Sequence, residues 1–405
     1  MVDHPLWVSF GLGAAFGAAA RLSRFCLLRG LAEACPPGPA SPASAAPAPA
    51  AEGAPALRSF ALALAVALVG TQLLAAWGDI PLERALPVRP QFSPWGALLG
   101  GLLFGIGMVL ARGCAARALV LLAGGNLRAL WVLLWLGLGA QASMTGVLAP
   151  LRQQLQGWGM MTLAHPTLDG WLQAWGLPAP VTLWLATGVP SLLLLAYALG
   201  HASLRAAPAR WLGALVIGLC VAAGWWASAH VGTDPFDEQP LSSLSFISPV
   251  AEVWLYLQVA VGRELATGVM LVLGVLAGAA IVALVTRTAR WESFQSAARM
   301  GASAAGGLLM GFGGVVALGC SIGQGLAGLS TLAIASLPPV IGIVAGACLM
   351  LRWQAVLPST DRAHGDPAQN DPAHACPAPI VRPESEHRPG SAPAHAGSTA
   401  NPPAL

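Results

Sequence analysis

The sequence predicts an all-α integral membrane protein, and three observations lead to this fold class. Apolar residues make up 56% of the 405-residue chain and charged residues only 9%, which is not the composition of a water-soluble protein. Apolar stretches of about 20 residues, long enough to span the hydrocarbon layer as helices, recur along the chain. A glycine-rich stretch that ends in Gly-Cys occurs in both halves, so the membrane helices are expected to form two related halves.

Nine apolar segments are predicted to span the membrane. The first begins a few residues after Met1, without a basic region before it or a small-residue cleavage site after it, which favours a retained span over a signal peptide. The nine predicted spans are residues 6–23, 57–77, 95–112, 127–149, 181–200, 209–229, 264–286, 299–318 and 337–353.

An internal duplication relates residues 100–114 to residues 306–320, with ten identical residues among fifteen at an offset of 206 positions. The two copies end in Gly113-Cys114 and Gly319-Cys320, and a degenerate third copy ends at Cys26. With nine spans, the two halves enter the membrane in opposite orientations. The duplication therefore predicts two inverted, pseudo-symmetric halves, an arrangement common in transporters.

The basic residues, all 20 of them arginine, set the predicted orientation. Loops on one side of the membrane are richer in arginine, and an acidic connection lies on the other side. By the positive-inside rule, the N-terminus is expected in the periplasm and the C-terminus in the cytoplasm, in a multi-pass protein of the bacterial inner (plasma) membrane. The arginines on the predicted cytoplasmic side are Arg29, Arg58, Arg205, Arg210, Arg287, Arg290, Arg299 and Arg352.

The predicted organisation has four parts. Residues 1–149 form the first membrane half, residues 150–180 an outer interfacial connection and residues 181–353 the second membrane half. A loop at 35–56 and the cytoplasmic tail at 358–405 are rich in Pro, Ala, Ser and Gly, and we expect both to be disordered because they can bury too little apolar surface. The histidines and the cysteine of the tail match no metal-ligand spacing, so neither a metal nor a cofactor is predicted.

The stretch after each Gly-Cys is too short to span the membrane and predicts a re-entrant half-helix. Each cysteine would then lie near a helix N-terminus, where free N–H groups and the helix dipole favour an anion. In apolar surroundings the thiol is expected to stay neutral. A neutral thiol can face an anion without repulsion, and it suits an anion that itself carries polarizable sulfur.

These motifs together resemble the YeeE/YedE sulfur-transport family, whose characterised branch takes up thiosulfate. The resemblance covers most of residues 5–353 and implies an hourglass-shaped fold with nine spans and four re-entrant helices. It implies that Cys26, Cys114 and Cys320 relay the anion through S–H hydrogen bonds, and that a separate cytoplasmic TusA-like sulfur carrier is a partner. The motifs are Arg24-Phe25-Cys26, Gly113-Cys114 with Gly124-Gly125-Asn126-Leu127, and Gly319-Cys320-x-x-Gly323-Gln324-Gly325 with Gly328-Leu329-Ser330-Thr331-Leu332.

Two positions depart from the family pattern. Arg112 stands before Gly-Cys where a small residue is expected, and Ala115-Ala116-Arg117 lacks the glycine that the second copy keeps at Gly323. Arg24 and Arg117 either attract the anion at the cytoplasmic end or extend to the interface. Gln324 either donates to substrate or satisfies the broken backbone. The candidate substrate-binding residues are Cys26, Cys114, Cys320, Arg24, Gly113, Gly319, Arg117 and Gln324.

Other functions remain open at this point. A membrane thiol-disulfide oxidoreductase would use paired cysteines, and the sequence has no Cys-x-x-Cys. Cys220 and Cys348 are interpreted as core residues and Cys35 as incidental. A structural subunit, or a transporter of another sulfur or selenium species, is a further alternative. No enzymatic motif is present, and nucleic-acid binding is not expected, so the predicted partners are thiosulfate or a related sulfur anion, the lipid bilayer and the carrier.

Overall fold

The computed structural model describes residues 4–35, 54–231, 241–262, 264–294 and 296–356, which are predominantly helical. Two short strands, β1 (Gln91–Phe92) and β2 (Met161–Thr162), pair antiparallel. A π-helical segment covers Gly323–Gly328. The α-helices are α1 (His4–Ser23), α2 (Leu27–Ala34), α3 (Pro55–Ala76), α4 (Pro94–Leu110), α5 (Ala115–Leu122), α6 (Leu127–Met144), α7 (Ala149–Gly157), α8 (Leu168–Ala174), α9 (Ala179–Leu199), α10 (Ala202–Arg205), α11 (Pro208–His230), α12 (Ile247–Val259), α13 (Thr267–Val285), α14 (Ala297–Val316) and α15 (Leu337–Val356).

The predicted spans coincide with the long helices α1, α3, α4, α6, α9, α11, α13, α14 and α15. Within the described ranges, eight helical stretches are long and apolar enough to cross a membrane. Helix α14 is not among these eight because its glycines and Arg299 lower its hydropathy. The prediction of an all-α, multi-pass integral membrane protein is confirmed.

The two segments predicted to be disordered lie largely outside the described residues. Most of the loop at 35–56, and the tail at 358–405, lie outside the described residues. Helix α3 begins at Pro55, so the last two residues of that loop are helical, and proline is well suited to the first helical turn. The connection at 150–180 contains α7, β2 and α8, with Trp158, Trp171 and Trp175 exposed.

The two glycine-rich helices of the duplication, α4 and α14, pack against each other through reciprocal glycine contacts. A Cβ added to Gly100 would lie 2.8 Å from the carbonyl oxygen of Gly313, and one added to Gly313 would lie 2.6 Å from that of Gly100. Gly107 and Gly306 make the same exchange at 2.6 and 2.7 Å. Because Gly306 and Gly313 are the duplicates of Gly100 and Gly107, the two copies meet through one shared patch in antiparallel orientation.

The same two helices also pack against helices from the other half of the chain. Helix α4 contacts α15, and its duplicate α14 contacts α6, again with glycine against backbone carbonyl. The halves therefore interleave within one compact unit. Inverted copies are expected to make equivalent contacts of this kind. The orientation of each half in a bilayer stays a prediction. The glycine contacts are Gly101 with Pro339, Gly105 with Ile343, Gly307 with Val132 and Gly311 with Leu136.

Candidate functional site

The helix before each of the three predicted site cysteines ends in the same turn. The residue two positions before the cysteine has a left-handed backbone, with φ of 53° at Arg24, 58° at Arg112 and 60° at Leu318. A non-glycine residue in this conformation costs about 1–2 kcal/mol, so the turn must be held by its surroundings. All three positions hold a residue larger than glycine, so the turn forms without the small residue expected at Arg112.

Backbone hydrogen bonds close the three turns identically. In each, the N–H of the residue directly before the cysteine donates to the carbonyl five residues earlier, which is the helix-terminating pattern known as a Schellman motif. Glycine usually occupies its left-handed position, but here Gly113 and Gly319 follow that position. The three bonds are Phe25 to Ala20 at 3.1 Å, Gly113 to Met108 at 3.0 Å and Gly319 to Gly314 at 2.8 Å.

The two glycines of the Gly-Cys pairs serve close packing. A Cβ on Gly319 would lie 2.9 Å from Cγ of Gln324, and one on Gly113 would lie 3.3 Å from Cδ of Arg117. Side chains that follow each cysteine therefore fold back over the turn. A larger residue at 319 would displace the Gln324 side chain, so glycine there lets Gln324 lie beside Cys320.

Two of the cysteines begin short helices, as predicted. Cys26 directly precedes the eight residues of α2, and Cys114 directly precedes the eight residues of α5. The prediction of a half-helix after Cys320 is wrong in detail, because the chain there forms the π-helical segment Gly323–Gly328. Its glycines permit this irregular backbone, and short π-helical segments are frequent at functional sites.

Backbone N–H groups face the thiols of the duplicated cysteines from equivalent positions. The N–H of Gly323 donates to Sγ of Cys320 at 3.3 Å. The N–H of Arg117, at the equivalent place in the first copy, interacts with the Cys114 thiol without the geometry of a full capping bond. Any residue except proline supplies a backbone N–H. Arg117 can therefore face the Cys114 thiol as Gly323 faces the Cys320 thiol, although it is not a glycine.

The three site cysteines converge inside the protein. Cys26 and Cys114 are each 4% exposed and Cys320 is 1% exposed. The Cys114 thiol lies within electrostatic range of the other two thiols. The fold thus gathers three widely separated cysteines into one buried, thiol-lined region, which we call the thiol cluster.

Two polar groups beside the thiol cluster form no full hydrogen bond with any described residue. Ser321, which is 1% exposed, interacts with the Cys114 thiol, yet its hydroxyl forms no hydrogen bond of full geometry with any described residue. Gln324 donates from Nε2 to the carbonyls of Ala317 and Leu318 at 3.2 and 3.0 Å, whereas its buried Oε1 has no partner among the described residues. Its amide nitrogen thus satisfies the broken backbone, one of the two roles considered from the sequence.

Arginines gather at the ends of α1 and α5, close to Cys26 and Cys114. Arg21, which sequence reasoning missed, lies within electrostatic range of both Arg24 and Arg117. Its guanidinium donates to the carbonyl and hydroxyl oxygens of Thr288, both at 3.1 Å. The missed signal was the position of Arg21 one helical turn before Arg24. We call Arg21, Arg24 and Arg117 the arginine group. The Glu292 carboxylate also lies within electrostatic range of Arg21, and the three guanidinium groups outnumber it, so the net charge of these groups is positive.

A cavity of about 190 Å³ lies between the strand β1 and the end of α14. Arg89, Gln156 and Gln324 contribute polar groups to its lining, and the described lining residues include no carboxylate. Arg89 donates from Nε to the carbonyl of Leu86 at 3.1 Å, and burial lowers the pKa of its guanidinium. Because Gln324 faces this cavity and also packs over Gly319, the cavity adjoins the turn that carries Cys320.

A buried polar network fixes the segment that follows the π-helical turn. The hydroxyl of Ser330 donates to the carbonyl of Ala327 at 2.7 Å and accepts from Thr71 of α3 and Trp225 of α11, both at 3.2 Å. Gln72 adds a bond from its Nε2 to the Ser330 carbonyl at 2.9 Å. The network therefore ties the Cys320 region to two spanning helices.

We expect Ser330→Ala to lower the free energy of unfolding by about 1–3 kcal/mol, because it leaves two buried donors without an acceptor. Thermal unfolding of the purified protein measures this. Ser203→Ala is the control, since the buried hydroxyl of Ser203 has no partner among the described residues. Equal melting temperatures for the two variants would contradict the role of the network.

A family model described as sulphur transport matches residues 51–349. The chain belongs to the sulphur transport family. The matched range contains Cys114 and Cys320 and begins after Cys26.

Two relatives of this chain are thiosulfate transporters named TsuA. One, from Escherichia coli (strain K12), is 30% identical over 287 residues, which cover 65% of this chain and 74% of the relative. The other, from Spirochaeta thermophila, is 28% identical over 255 residues, which cover 60% of this chain and 72% of the relative. As a member of this family the chain is a membrane transporter of sulfur-containing anions and not an enzyme, so the oxidoreductase alternative is set aside.

Proposed function

We propose that this protein imports thiosulfate across the bacterial inner membrane and that neutral thiols relay the anion. The observation that carries the proposal is the thiol cluster, in which three buried cysteines from separate parts of the chain converge. Beside them lie two polar groups that form no full hydrogen bond with any described residue. The two TsuA relatives transport thiosulfate by name. The substrate and the roles of individual residues are our inference from these findings.

The chemistry of the thiol cluster suits thiosulfate better than sulfate. A thiol is a weak, soft donor that can face the polarizable terminal sulfur of thiosulfate. Sulfate offers only oxygen atoms, which prefer stronger donors. No bond to sulfur forms or breaks in this relay, so the anion leaves as it entered.

A route from the periplasm follows from the positions of the charged and polar groups. The anion enters the cavity beside Arg89 and passes Gln324 to reach Cys320. It then moves to Cys114, where the Ser321 hydroxyl can donate to one of its oxygens, and on to Cys26. The arginine group at the end of α1 attracts it to the cytoplasmic end. Backbone N–H groups at Arg117 and Gly323 hold the two duplicated thiols in orientation.

The cytoplasmic partner in this proposal is a TusA-like sulfur carrier that binds the released anion. Consumption of thiosulfate on that side would keep its concentration low and favour net uptake. Binding of a purified TusA-like carrier to the protein in detergent, measured with and without thiosulfate, tests this partner.

Uptake of radiolabelled thiosulfate into proteoliposomes tests the function directly. We expect saturable uptake that unlabelled thiosulfate competes with and that sulfate does not. Selenium and other sulfur anions serve as further competitors. If sulfate competes as well as thiosulfate, or if no uptake occurs in protein that remains folded, the proposed substrate is wrong.

Removing one charge from the arginine group should slow uptake. We expect Arg117→Gln to lower the initial rate severalfold and to weaken its dependence on ionic strength, since salt screens the attraction of an anion. Arg205→Gln, an exposed position on the predicted cytoplasmic side, is the matched control. Equal rates and equal salt dependence in the two variants would contradict a role for Arg117.

A further inference from the structure

Two further cysteines, separate from the thiol cluster, lie near the C-terminal end of α2, the end opposite Cys26. Cys35 directly follows the last residue of α2, and Cys348 lies on α15. The two helices pack against each other, and there the Cys348 thiol lies within electrostatic range of Cys35. From the sequence, Cys348 is interpreted as a core residue of an apolar helix and Cys35 as incidental. The fold makes them a pair.

The surroundings of this pair differ from those of the thiol cluster. Cys35 and Cys348 are both free and partly exposed, whereas the other four described cysteines are free and buried. Arg352 lies one helical turn beyond Cys348, is exposed, and is within electrostatic range of the Cys348 thiol. An arginine head group stays in water, so the exposed Arg352 places Cys348 within one helical turn of the water-accessible end of α15.

We propose that Cys35 and Cys348 form a redox-active dithiol whose disulfide ties the C-terminal end of α2 to α15. The oxidant is a low-molecular-weight disulfide. One protein thiol, as its thiolate, attacks a sulfur of this disulfide, releases one small thiol and forms a mixed disulfide. The second protein thiol attacks the mixed disulfide at the protein sulfur and releases the other small thiol. Two electrons and two protons thus pass from the protein to the small disulfide.

The bridge would act on the thiol cluster through α2. This helix has a cysteine directly before its first residue and another directly after its last. Its eight residues span about 12 Å, so a tether at Cys35 restrains Cys26. Gly30 already packs closely on α3, where an added Cβ would lie 2.8 Å from the Leu57 backbone. A disulfide would therefore hold α2 between α3 and α15. This effect on transport depends on the proposed function, whereas disulfide formation does not.

Oxidation of the full chain in proteoliposomes tests the dithiol. The chain carries Cys376→Ala, because that thiol lies in the tail outside the described residues and could exchange with either partner. After treatment with oxidised glutathione, we expect a Cys35–Cys348 disulfide in peptide mass spectrometry and loss of both thiols from maleimide labelling. Cys35→Ser and Cys348→Ser should each retain a mixed disulfide with glutathione at the remaining cysteine.

Uptake by the same samples tests the coupling. We expect oxidation to slow thiosulfate uptake severalfold, reduction to restore it, and Cys35→Ser to keep its rate under the same treatment. Absence of the Cys35–Cys348 disulfide overturns the dithiol. A disulfide that forms without slowing uptake overturns its action through α2. Failure of the reduced protein to take up thiosulfate counts instead against the proposed function.

Discussion

Cys114→Ala is expected to lower the initial rate of thiosulfate uptake by about 5- to 150-fold. The Cys114 thiol is buried, interacts with the Ser321 hydroxyl and lies in range of both other thiols of the cluster. A lost hydrogen bond to a buried, charged partner costs about 1–3 kcal/mol, and this range converts to the stated change in rate. Uptake of radiolabelled thiosulfate into proteoliposomes measures it, with the folded fraction checked by size-exclusion chromatography.

Cys220→Ala is the matched control for this variant. Cys220 lies on α11, is 6% exposed compared with 4% for Cys114, and lies outside the thiol cluster. Both changes remove the same sulfur from a buried position, so they should affect packing to a similar degree. If the two variants transport thiosulfate equally well, the Cys114 thiol does not contact the anion. Cys114→Ser, which retains a small hydroxyl donor, should recover part of the lost rate.

The membrane fold could be predicted because its signals are local. The length of each apolar run sets a span, and the long helices occur where such runs were found. The repeated Gly-Cys likewise indicated a break in the helix followed by a short element. These features depend on residues close in sequence, so they can be found without knowledge of tertiary contacts.

The details of the site could not be predicted because they depend on tertiary contacts. Left-handed backbone normally favours glycine, yet Arg112 and Leu318 adopt it, held by the hydrogen bonds of the turn and the close packing around them. The Arg21 guanidinium donates to Thr288 of a distant segment, a contact that no local pattern indicates. The pairing of Cys35 with Cys348 requires α2 to lie against α15, which no local pattern indicates.

The reciprocal glycine contact between α4 and α14 should tolerate substitution poorly. A Cβ on Gly313 would lie 2.6 Å from the carbonyl oxygen of Gly100 and 2.7 Å from the backbone nitrogen of Phe104. Both atoms belong to a helix backbone, so only a shift of the whole helix can relieve the clash. Since α4 and α14 also lead into the turns of Cys114 and Cys320, that shift would move two thiols of the cluster.

We therefore expect Gly313→Ala to lower the free energy of unfolding by about 1–3 kcal/mol, the usual cost of overpacking a close contact. Gly100→Ala should have a similar effect because it meets the same contact from the other side. The double variant should lose less than the sum of the two single losses, since the first substitution already separates the helices. Thermal unfolding of the purified variants measures all three, and uptake assays should show a parallel loss of transport.

Gly301→Ala provides the control on the same helix. An added Cβ at Gly301 meets nothing within 4 Å, so only helix propensity acts there and alanine should stabilise α14 by about 0.5–1 kcal/mol. Opposite signs at Gly301 and Gly313 would separate close packing from a general response of α14 to alanine. If Gly313→Ala proves as stable as Gly301→Ala, or if the double variant loses the full sum, the two duplicated helices do not share the contact described here. The thiols that they carry would then be positioned by other elements.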